Sequence, residues 1–152
     1  MAFEVDTLQD FSFRASANVT ALTWAGNPPT YSGGGIPQYY VVTPDVTTGN
    51  AEDIIVAIST TVQPLGIAQD APASGPGQSV RVRTGGVSKA IAGGAISYGD
   101  LLMVNASGQV VTATAAGATN FFLIGRALTA AAEIGDVISV MIEIGATQYI
   151  NA

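Results

Sequence analysis

Ser79-Val80-Arg81-Val82-Arg83 alternates apolar and charged side chains with a period of two. Successive side chains of an extended strand point to opposite faces, so the two valines turn inward and the two guanidinium groups outward. The arginines read as a solvated or interface face.

The same texture runs outward from this segment. From Tyr39 onward the chain consists of short β-rich runs separated by turn residues: 39–43 (YYVVT), 61–69 (TVQPLGIAQ), 79–84 (SVRVRT), 100–105 (DLLMVN), 109–114 (QVVTAT), 121–128 (FFLIGRAL) and 136–144 (DVISVMIEI). Runs of this kind at this spacing predict a mainly β protein, a small single-domain β-barrel or β-sandwich with little helix. Asn105-Ala106-Ser107-Gly108 supplies residues that tolerate positive φ, so the runs on either side of it are expected to form a hairpin. The best helix candidate is Ala51 to Thr60, with Asn50 as cap and Glu52 and Asp53 in the first turn; its β-branched residues Ile54, Ile55, Val56 and Ile58 argue equally for a strand.

Laid over one another, Leu65–Gly85 and Ile124–Gly145 match as strand, small-residue loop, Gly turn and strand. Gly66 meets Gly125, Gly75 meets Gly135, and Ser79-Val80 meets Ser139-Val140. Tyr98-Gly99-Asp100-Leu101 likewise repeats Ile134-Gly135-Asp136-Val137.

Residues 1–38 differ from the rest. Three acids fall in the first ten residues, Val19 to Trp24 alternates, and Pro28, Pro29 and Pro37 bracket Gly33 to Gly35. Proline removes a donor and glycine adds chain entropy, so an exposed loop is expected there. The chain accordingly divides into an N-terminal arm and loop region, 1–38, and a β-rich domain, 39–152.

Of the 152 residues 48% are hydrophobic and only 11% charged, where roughly 25% charged is usual. A surface so poor in charge suggests burial against neighbouring subunits. The net charge of −6 lacks the basic footprint of a nucleic-acid binder. Trp24, Tyr31, Tyr39, Tyr40, Phe121 and Phe122 do not interleave with basic residues as a stacking platform requires. The N-terminus does not read as a secretory signal, and no apolar run approaches the roughly 20 residues of a membrane span, so a soluble chain is expected.

Catalytic chemistry has little to work with. Histidine and cysteine are both absent, which removes the commonest general base, the commonest metal ligands and the thiolate nucleophile. Lys89 has no neighbour in sequence to tune it and reads as a surface or interface lysine. The glycine-rich segments match no phosphate or dinucleotide loop. The carboxylate pairs Glu4/Asp6, Glu52/Asp53 and Glu133/Asp136 sit in no recognisable ligand loop; Glu133 and Asp136 form the least poor catalytic candidate. Asp100 and Asp136 read instead as turn formers that accept backbone N–H groups. The triplets beginning at Asn18 and Asn105 match the glycosylation sequon without further support. No catalytic, cofactor-binding or metal-binding residue is therefore assigned, and no enzyme activity or cofactor is expected.

The ordered series PLGIAQDAPASGPGQSVRVRTGGVSKAIAGGAISYGDLLMVNASGQVVTATAAG, followed by IGRALTAAAEIGDVISVMI, resembles the capsid decoration or cement proteins of tailed bacteriophages. The resemblance covers Tyr39 to Ile144. It implies a β-rich structural virion protein, commonly a homotrimer, made in the host cytoplasm, that clasps the outer capsid surface and stabilises it against genome pressure. Its implied partners are the major capsid protein and further copies of itself, with neither nucleic acid nor membrane. The alternative is another virion surface or tail component, such as a glycan-binding module.

Overall fold

The structure, a computed structural model, describes residues 10–20, 23–25, 30–57, 63–70, 72–114, 121–144 and 147–148; at 23–25, 30–33 and 147–148 it describes the backbone only. The strands are β1 Asp10–Ala15, β2 Thr23–Ala25, β3 Thr30–Gly33, β4 Val41–Pro44, β5 Asp53–Val56, β6 Gly66–Ala68, β7 Ser79–Arg83, β8 Gly86–Ile91, β9 Leu101–Val104, β10 Val110–Thr112, β11 Phe121–Phe122, β12 Gly125–Ala127, β13 Val137–Ile142 and β14 Thr147–Gln148. No helix occurs among the described residues.

The mainly β expectation holds, and each of the seven sequence runs contributes a strand. The protein as a whole is not one closed barrel. Pairings in the order β1-β5-β4-β6-β7 close on themselves through β7 and β1, whereas β10-β9-β12-β13-β8 form a second, open sheet. Pairs β11-β14 and β2-β3 stand apart.

The helix expected at 51–60 does not form over its described residues. Ala51 and Glu52 form a turn and Asp53–Val56 is β5; residues 58–60 lie outside the described set. Ile54 is fully buried in the ring, and the β-branched run packs better on a pleated wall than on a helix. The 1–38 segment is also more integrated than an arm. β1 pairs with β7 and β5, and Ile36 is 1% exposed and bridges Ala73, inside the stretch read as an exposed loop.

The two five-stranded arrays share one topology, with β1, β4, β5, β6 and β7 matched in turn by β8, β9, β10, β12 and β13. Val42↔Gly66 corresponds to Leu102↔Gly125, Ala68↔Val82 to Ala127↔Val140, and the parallel contact Ala15↔Ile54 to Ala92↔Val110. The antiparallel bridge Ile36↔Ala73 recurs as Ile96↔Ala131, and the Gly77 N–H to Ala15 carbonyl bond as Gly135 to Ala92. The chain is thus a tandem pair of one five-stranded unit. The sequence echo finds Gly66 and Gly125 correctly but misaligns the final strand, since Val140 corresponds to Val82 and not Val80. The β2-β3 hairpin is an insertion carried by the first unit alone, where the second passes directly from Ala92 to Ile96.

One backbone insertion explains why the first array closes and the second does not. In the first unit β1 meets β5 directly, with the Arg14 N–H donating to the Glu52 carbonyl over 2.9 Å. At the corresponding seam of the second unit, Tyr39 to Val41 is wedged in. The Ile91 N–H donates to the Tyr39 carbonyl and the Val41 N–H to the Gly108 carbonyl. The wedge also carries Val41 into a core shared with Ile67, Leu102, Ile124, Ile138 and Val140, so outward residues of the first unit complete the core of the second. The first unit's own core gathers Ala15, Ile36, Val42, Ile54, Val80 and Val82.

Candidate functional site

Because strand residues alternate faces, the inward valines of β7 leave Arg81 and Arg83 on the outer wall beside Asp10, Ser12 and Arg14 of β1. Arg83 grips Asp10 with two hydrogen bonds, Nε to Oδ1 at 2.7 Å and Nη2 to Oδ2 at 2.9 Å. Those bonds, then the charges of Arg83 and Arg81, hold the Asp10 carboxyl below the usual carboxylate range despite the opposing effect of burial. Arg81 reaches Asp70 at 3.1 Å, and Arg14 reaches Asp53 at 2.7 Å across the β1-β5 seam. The arginines of this wall are therefore committed to ion pairs within the chain.

Asp45, at the end of β4, is buried and serves as a node. Its carboxylate accepts from the Ser16 hydroxyl, the Asn18 amide (2.8 Å), and the Thr47 hydroxyl and N–H (2.6 and 3.0 Å). These bonds, the Ser16 contact foremost, push its pKa far below the ordinary value. Asn18, one of the two sequon residues, is thereby tied to the β4-β5 turn. Asn105, the other, occupies the position of Asp45 in the second unit and accepts from the Ser107 and Gln109 N–H groups, closing the β9-β10 hairpin as expected.

The repeated Gly-Asp turns do what the sequence suggests. Asp100 accepts from the Ser97 N–H at 2.9 Å and the Thr112 hydroxyl at 2.8 Å, which holds its carboxyl low; Asp136 accepts from the Ala132 and Glu133 N–H groups. Both turns thrust an apolar side chain outward, Tyr98 at 75% exposure and Ile134 at 43%. Glu133 and Asp136 thus meet through the turn backbone. Lys89 lies over the Tyr39 ring, 5.8 Å from its centre, beside a shallow cleft of about 310 Å³. Glu52 is exposed while Asp53 is bound to Arg14; Glu4, Asp6, Trp24 and Tyr31 lie outside the described side chains. Among the described residues no three His, Cys, Asp or Glu side chains gather as a metal site would need.

What sequence reasoning missed is an asymmetry between the duplicated units. Outward positions on the first unit's β1 and β7 are Asp10, Ser12, Arg14, Ser79, Arg81 and Arg83. Their counterparts on β8 and β13 are Val87, Lys89, Ile91, Val137, Ser139 and Met141. On β9 and beyond β12 the outward Leu101, Met103 and Leu128 are only half-buried. Only the register of the duplication reveals this, because it identifies which positions to compare.

The first unit is braced by ion pairs on its outer wall, whereas the second presents outward apolar side chains, an arrangement suited to contact with other protein surfaces. A family model for phage cement proteins matches residues 38–142, more than half the chain. The chain belongs to the phage cement protein family, a capsid-associated structural component of the virion. The fold is similar to the crystal structure of the head fiber gp8.5 N base of bacteriophage phi29, with a TM-score of 0.61 and 20% identity over 88% of this chain and 94% of that one. No curated protein sequence matches.

Proposed function

We propose that this chain binds the outer surface of the capsid, in contact with the major capsid protein, as a homotrimer that stabilises the shell. The observation that carries the reading is the cement-family match over residues 38–142. The surface chemistry supports it. With 11% charged residues, and with arginines 14, 81 and 83 engaged internally, attachment rests on shape and apolar contact rather than on long-range electrostatics. Three copies joined together engage three equivalent capsid sites, so modest single contacts add up through effective concentration. In this reading the arm function narrows to the residues ahead of β1.

The test is to add purified protein to shells lacking it, measure binding, and locate bound density by electron cryomicroscopy at the local three-fold axes. Saturable binding with trimeric density, and a higher rupture temperature of the decorated shells, is the expected outcome. Absence of binding to any expanded shell, or density confined to the tail, refutes the reading.

A further inference from the structure

The tandem duplication leaves one unit-to-unit contact unmatched among the described residues. Within the chain, the outer face of the first unit at Val41, Ile67 and Gln69 is covered by the second unit. Val41 and Ile67 enter the second core, and Gln69 donates to the Ser88 hydroxyl at 2.8 Å. By strand register the matching face of the second unit is Leu101, Arg126 and Leu128. No third unit follows among the described residues to cover it, and it stays half-buried or exposed. A repeat face left without a neighbour is ordinarily polar, whereas this one places two leucines beside Arg126.

The receiving side has its own counterpart. The second unit receives the first at Ser88 of β8 and at the turn Asn105–Gly108. The matching positions on the first unit are Phe11, which pairs with Val82 as Ser88 pairs with Val140, and the turn containing Val46 and Glu52. Phe11 is 54% exposed and Val46 85% exposed, each an apolar side chain left open to solvent. A polar contact inside the chain, Gln69 with Ser88, therefore maps onto an apolar one between chains, Leu128 with Phe11. Leu101, the counterpart of Val41, maps onto the turn carrying Val46 and Glu52, because the Val41 N–H donates to the Gly108 carbonyl at the matching turn of the second unit. The backbone wedge is not repeated, because β1 and β5 already seal the first unit's seam; the contact is made by side chains.

We infer that the Leu101/Arg126/Leu128 face of one copy seats on the Phe11/Val46/Glu52 face of a second copy, head to tail, continuing between chains the arrangement of units within one. The inference rests on the oligomeric part of the proposed function and is independent of capsid attachment. A head-to-tail contact closes into a ring when its rotation allows, which accommodates a trimer.

The chain contains no cysteine, so introduced thiols report without background. The experiment compares Phe11→Cys, Leu128→Cys and the double variant, each oxidised and run on denaturing gels, with light scattering of the wild type for oligomeric state. The expected result is a covalent oligomer from the double variant and monomer from either single variant, because each contact brings one residue of each kind together. Cross-linking by Leu128→Cys alone means that two copies meet face to face and overturns the head-to-tail contact. A wild-type oligomer whose double variant does not cross-link overturns the assigned faces and leaves the oligomer standing. A monomeric wild type overturns both. Leu128→Asp supplies a second readout: loss of the oligomer is expected, whereas a retained oligomer with lost shell binding assigns the face to the capsid and refutes the inference.

Discussion

Gly66 and Gly125 hold the same place in the two units, and a β-carbon on either would collide with a backbone carbonyl oxygen of the neighbouring strand, that of Arg83 in the first unit and that of Met141 in the second. The repeated glycine is a condition of close strand approach, where β6 pairs with β7 and β12 with β13.

Gly66→Ala and Gly125→Ala should each destabilise the protein by about 1–3 kcal/mol, the usual result of forcing atoms into a packed site. Gly75→Ala, where the same β-carbon meets nothing within 4 Å, serves as control and should stay within about 0.5 kcal/mol of wild type. Chemical denaturation measures all three, and equal midpoints for Gly66→Ala and the control would refute the steric account.

Ile67 belongs to a strand of the first unit but is buried in the core of the second. Ile67→Ala should cost about 2–4 kcal/mol. Hydrogen exchange should quicken in β9 and β12, not only in β6. Losses confined to the first unit would show that the two cores are uncoupled.

Asp45 should dominate the acid limb of stability. Its folded pKa is depressed, so its contribution is complete above the unfolded value of about 4 and is lost as pH falls toward the folded value. Asp10, also depressed, acts in the same direction. Denaturant midpoints at pH 7 and below pH 4 should therefore converge in Asp45→Asn more than in wild type. At pH 7 that variant should be weaker by about 1–3 kcal/mol, since donors arranged for a carboxylate lose an acceptor.

The outer-wall arginines should differ in weight. Arg83 is mostly buried and bonded twice to Asp10, whereas Arg81 is more than half exposed in its pair with Asp70. Arg83→Ala should cost about 1–3 kcal/mol and Arg81→Ala below about 1 kcal/mol. The Arg81 contribution should fade in high salt. A larger loss from Arg81→Ala would contradict this ranking.

The sequence by itself determined the strand content, because period-two alternation in SVRVR and the β-branched runs leaves few other ways to bury those side chains. It also determined the turn roles of Asp100 and Asp136, which depend on backbone groups a few residues away. The lack of histidine and cysteine left little catalytic chemistry to assign, and the cement-family likeness was readable from the order of phrases. Strand partners were decided only by tertiary structure. Ile54 suits a helix or a strand until β1 and β4 flank it, and Ile36 sits among turn residues until Ala73 pairs with it. The duplication was half visible as an echo, but its register, and hence the contrast between a charged outer wall and an apolar one, depends on pairings across tens of residues. Such non-local pairing is set by which faces can be buried together, and local propensity carries no record of it.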